Sequence, residues 1–174
     1  MLAAVRGGLR SAIVADFGDD HLDRWNGIVY DTEMKRQIVI DTNVFISALR
    51  SRRGASHRLF MLLDRGMFDI TISVPLIVEW EDAAKRIARE VGLTHADIDD
   101  ILDYICRVAR KRAIHFLWRP FLKDPQDDHV LELAVTAGCD VIVTYNVRDF
   151  AGAEQFGIRV VTPKEFLRAI GGVP

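Results

Sequence analysis

Five oxygen-bearing side chains stand where strands of this chain give way to helices or loops. Asp41 closes the β-branched run Ile38-Val39-Ile40, the pattern of a strand buried on both faces. Glu79 sits about one turn into the helix that follows a second strand. Asp128 lies at the start of a later helix, and Asn146 and Asp149 occupy the loop after another buried strand. Carboxylates brought together repel unless a cation neutralises them. An oxygen-only donor set of this kind suits Mg²⁺ or Mn²⁺. Such a cation can lower the pKa of a bound water and clamp a phosphodiester for in-line attack. Each residue also has a plainer reading. Asp41 could cap the following helix beside Asn43, itself a plausible N-cap. Asp127 and Asp128 could be first-turn acids favoured by the helix dipole. Glu79 could be solvated, and Asp149 could cap a turn. The joint pattern carries the chemical reading.

The elements that must position these groups alternate along the chain. After the first strand, Val44, Phe45, Ala48 and Leu49 recur at helical spacing. Ser56 is placed to cap a second helix that ends at Gly66. Asp69 to Ser73 reads as the second strand, and Pro75 opens a helix reaching about Val91. Thr94 caps a fourth helix, with Ile98, Ile101, Leu102, Ile105 and Val108 on one face. Ile114 to Leu117 is expected as the third strand. A helix through Val130, Leu131, Leu133, Ala134 and Ala137 stops at Gly138. Asp140 to Thr144 is the fourth strand and Ile158 to Val161 the fifth. Thr162 and Pro163 begin the last helix. Alternation of this kind means βαβ units and a parallel sheet covered on both faces, a three-layer α/β/α sandwich.

Composition sets bounds. The 174 residues can bury a core, and 49% hydrophobic with 28% charged content is that of an ordinary globular protein. A net charge of -2 argues against a strongly basic nucleic-acid coat, though an acidic site can offset a basic rim. Cys106 and Cys139 lack metal or redox spacing and read as small core residues. No apolar run suffices to span a membrane, no secretory signal is evident, and a cytoplasmic location is expected. Residues 1–34 differ from the rest, with turn-rich polar stretches. They are expected to be an N-terminal extension or an over-called start, with the domain spanning 35–174.

The segments Ile40-Asp41-Thr42-Asn43-Val44, Ser73 with Glu79, Asp124-Pro125-Gln126-Asp127-Asp128 and Val143 to Phe150 together resemble the PIN domain. The nearest branch in this likeness is the toxin components of toxin–antitoxin pairs, akin to VapC-type toxins. The resemblance covers about Lys35 to Gly171. It implies a five-stranded parallel sheet and a metal-dependent ribonuclease using Mg²⁺ or Mn²⁺, with an RNA substrate, a cognate antitoxin and a homodimer. By position, Asp41, Glu79 and Asp128 match the family acids. At the fourth acid this chain has Asn146, and Asp149 follows; either would complete the site. Asn43 and Thr144 would orient the ligands.

Arg50, Arg52, Arg53 and Arg148 are placed to meet a phosphate backbone, or to be solvated. Trp118 and Phe121 could stack on a base or pack beneath their loop. His129, next to Asp128, is expected at the surface. Two rival readings remain: a PIN-fold interaction module with little catalysis, which the Asn146 departure leaves room for, and a phosphotransfer protein. The second is disfavoured because Asn43 stands where an aspartyl phosphatase needs an acid, and Phe116-Leu117 offers none to a receiver-like site.

Overall fold

The computed structural model of the protein describes residues 35–114 and 121–172. Trp118, and the expected extension over residues 1–34, lie outside the described residues. Five strands form one parallel sheet: β1 (Arg36–Ile40), β2 (Phe68–Ile72), β3 (Arg110–Lys111), β4 (Val141–Val143) and β5 (Arg159–Val161), in the order β3-β2-β1-β4-β5. Six α-helices accompany them among the described residues: α1 (Thr42–Arg50), α2 (Ala55–Met61), α3 (Val74–Ile87), α4 (His95–Val108), α5 (Asp128–Ala137) and α6 (Pro163–Ala169).

The two central strands are the most apolar. Ile38, Val39 and Ile40 of β1 and all three residues of β4 are buried. Each such side chain contributes on the order of 1.5–3 kcal/mol when withdrawn from water. Helix α5 packs on β1, β2 and β4, and α1 packs on α2 and α3. An aromatic cluster joins these last three helices: Phe45 stacks on Trp80 at 4.7 Å, and Phe60 meets both rings edge-on or tilted. Trp80 is fully buried, so it fixes the rotation of α3 and with it the direction of its neighbour Glu79.

Sheet order decides where a site can form. From β1 the chain proceeds to β2 on one side, and from β4 to β5 on the other. The crevice outside the carboxyl ends of β1 and β4 is therefore the topological switch point, where ligands bind in open α/β sheets.

Some local expectations shift. The third strand is Arg110–Lys111, not Ile114–Leu117: it pairs through Thr71 with Arg110 and Ile72 with Lys111. Residues 112–114 are not in a strand, and 115–117 lie outside the described residues. An edge strand pairs on one side only, so exposed charged residues can make it. Helix α3 stops at Ile87, and the turn beyond it reaches Gly92, whose φ of +71° suits glycine. Gly54, not Ser56, caps α2, and Asp41, not Asn43, occupies the N-cap of α1. The caps at Thr94 and Thr162 form as expected, as capping boxes with Asp97 and Glu165, and Ser73, expected to end the second strand, is the N-cap of α3.

Candidate active site at the β1–β4 switch point

Asp41 leaves β1 with its backbone N–H donating to Val143 O of β4 at 3.0 Å, so the two central strands stay paired up to the crevice. Its side chain makes no helix-capping bond. Instead the Thr144 hydroxyl donates to Asp41 Oδ2, and Asn43 Nδ2 donates to the same oxygen at 2.7 Å. Asn43 Nδ2 also reaches Thr144 Oγ1 at 3.0 Å, and Asn43 Oδ1 accepts the Tyr145 N–H at 3.1 Å. The Asn146 N–H donates to Thr144 Oγ1 at 2.9 Å. These bonds tie the loop after β4 to the start of α1 and hold the Asp41 carboxylate in one orientation. Burial pushes its pKa up; the bonds from Thr144 and the backbone N–H groups of Thr42 and Asn43 oppose this, and the nearby Glu79 charge adds to it.

Glu79 sits on the half-exposed face of α3 and meets His129 Nε2 at 2.9 Å. His129 Nδ1 lies 2.7 Å from Gln126 O. Both ring nitrogens thus face acceptors, an arrangement that suits the doubly protonated ring. Burial works to raise the Glu79 pKa. The hydrogen bonds of His129 and Thr42 and the charges of His129 and Arg86 outweigh it, leaving the carboxyl below the usual glutamate range. His129, expected at the surface, is in fact buried.

The acidic pair at the start of α5 divides its labour. Asp128, expected among the site acids, is 1% exposed. Its carboxylate accepts the Leu122 N–H at 2.8 Å and the Phe121 N–H at 3.1 Å. It holds the preceding loop onto the helix. Asp127, at the N-cap, faces the other acids. Its pKa rises from the ordinary 3.8 to about 6, through burial first and then the charges of Asp41, Asp124, Asp149 and Glu79. One carboxyl that senses four others marks the centre of a negatively charged cluster. Asp149 belongs to it, from the short 3₁₀ helix Val147–Phe150; Asn146, at the N-cap of that helix, adds no charge.

The four arginines expected to contact phosphate, Arg50, Arg52, Arg53 and Arg148, are exposed. Arg50 pairs with Glu90, at 3.1 Å from Nε. Sequence reasoning passed over Arg86, which stands on the same face of α3 as Glu79 and Asp82. With His129 and Pro125 these residues line a cleft of about 610 Å³ beside the acids. The 79, 82, 86 spacing on one helix was the available signal. Phe121 is partly exposed and packs against Phe156 at 5.2 Å rather than standing alone.

The chain matches the PIN domain family over residues 37–148. That is more than half its length, so the chain belongs to the PIN domain family, whose members are generally nucleases that work with divalent cations. A comparison with curated proteins gives no match.

The donor set fits such a cation chemically: every acid offers hard oxygen ligands, and their mutual repulsion at Asp127 is what a divalent charge would relieve. As the side chains stand, no three acids among the described residues converge into a ligating cluster.

Proposed function

We propose that this protein is a metal-dependent endoribonuclease, the toxin of a type II toxin–antitoxin pair, acting in the cytoplasm. The observation that carries the nuclease reading is that Asp41, Glu79, Asp127 and Asp149 come from four βα units to one edge of the sheet, where the charges of Asp41, Asp149 and Glu79 help to raise the pKa of Asp127. Asp41, Glu79 and Asp127 would hold Mg²⁺ or Mn²⁺, with Asp149 completing the set. When bound, the cation supplies neutralising charge at the scissile phosphate and acidifies the attacking water. The chain's own part is positional. Thr144 and Asn43 fix the Asp41 carboxylate, and His129 fixes Glu79. Arg86 offers the cleft a cation for a phosphate on the substrate strand. The toxin reading rests on the likeness of the motifs alone, and a cognate antitoxin and a homodimer follow from it as parts of the proposal.

The interaction-module reading keeps one specific support: the uncharged Asn146, together with acids that do not converge as they stand. Incubation of mixed RNA pools with the purified protein separates the two. The nuclease reading expects cleavage with Mn²⁺ or Mg²⁺ that stops on adding EDTA. No cleavage in any pool, together with no Mn²⁺ binding by calorimetry, would favour the module.

A further inference from the structure

Tyr145 is a large aromatic side chain left 46% exposed, one residue beyond the hydroxyl that anchors Asp41. Its ring is held at both ends. The backbone N–H donates to Asn43 Oδ1 at 3.1 Å, and Tyr145 Oη shares a hydrogen bond of 2.8 Å with Ser56 Oγ. Ser56 is fully buried at the start of α2, so the phenol is tethered to the core and not to a mobile surface group. Asn43 in turn donates to Asp41. Two hydrogen bonds therefore connect the Tyr145 backbone to the carboxylate at the centre of the site. An apolar ring pinned in place and left open to solvent has already met most of the ordering cost of binding.

We infer that Tyr145 is a stacking platform for an unpaired nucleobase next to the scissile phosphate. Every base offers a π-face, so such a platform tolerates any sequence but rejects a base still paired within a duplex. The inference rests on the nuclease reading for the phosphate and adds the base to it. Tyrosine is suited to the task because its hydroxyl is used for positioning while its ring face is not.

The test uses the Asp41→Asn protein with Mn²⁺, to bind RNA without cutting it, and a short single-stranded RNA carrying the fluorescent base aminopurine. Binding is expected to quench the fluorescence. Tyr145→Leu should abolish the quenching and weaken binding about tenfold. Tyr145→Phe and Ser56→Ala, each of which keeps the ring but loses the hydrogen bond that pins it, should both fall between the parent and Tyr145→Leu. A duplex of the same sequence should bind more weakly than the single strand and show no dependence on Tyr145. Equal quenching and affinity in Tyr145→Leu and its parent would overturn the proposal, as would a parent that binds the strand unquenched or not at all. Metal-dependent cleavage by the wild-type protein is scored separately, so loss of the platform and loss of the nuclease reading give different results.

Discussion

At the scale of single residues, the adjacent acids Asp127 and Asp128 show how one register step separates two roles. Asp128 spends its carboxylate on the Phe121 and Leu122 N–H groups, whereas Asp127 meets the charges of the other acids. Their variants should part accordingly. Asp128→Ala strands buried backbone donors and is expected to cost about 1–3 kcal/mol of stability, read by denaturant unfolding. Asp127→Asn should keep the fold and weaken Mn²⁺ binding at least about tenfold by calorimetry, since one ligand charge is lost. The reverse pattern would restore Asp128 to the site. The sequence displayed the acidic pair but not which member faces the crevice. Helix α5 is buried on every side from Asp128 to Ala134, so no polar stripe reports its orientation. For the same reason His129 looked like a surface residue. Asp41 was easier to read, because a carboxylate directly after a β-branched run can only sit at the strand's carboxyl end.

At the scale of elements, legibility followed burial. Strands β1 and β4 are unbroken apolar runs, and the caps of α3, α4 and α6 carry their own side-chain signals. Strand β3 carries none: two charged residues make an edge whose pairing depends on β2 and not on their own pattern. The position of Glu79 likewise depends on a neighbour that sequence pattern alone does not single out. Trp80 stacks on Phe45 and anchors α3 against α1. Trp80→Ala is expected to cost about 3–5 kcal/mol and to reduce metal affinity through Glu79, even though Trp80 touches no ligand. Chemical denaturation alongside calorimetry would show both effects; an unaltered affinity in the folded variant would mean that α3 holds Glu79 without it.

At the scale of the molecule, the gathered acids make stability depend on pH. Asp127 and Asp41 have raised pKa values in the folded state, so the native protein binds protons there that the unfolded chain has released. With more protons on the native state, unfolding free energy falls as pH rises. Without divalent cations, the melting temperature should therefore drop from about pH 5 to about pH 7. Glu79, whose pKa is lowered, acts in the opposite sense, but its contribution is lost only as pH falls through the lower carboxylate range. Added Mn²⁺ should reverse the drop, most strongly above about pH 6, because the cation competes with the protons. A melting temperature indifferent to both pH and Mn²⁺ in this window would contradict the picture of a repelling acidic cluster.

The central claim, that the β1–β4 switch point is a nuclease site, is tested most directly by comparing RNA cleavage by wild type and Asp41→Asn in Mn²⁺, both shown to be folded by circular dichroism. The account predicts cleavage by wild type that EDTA stops, and a loss of at least about a hundredfold in rate in the variant. Cleavage at the same rate by both proteins would contradict it, and would move the chemistry away from Asp41 altogether.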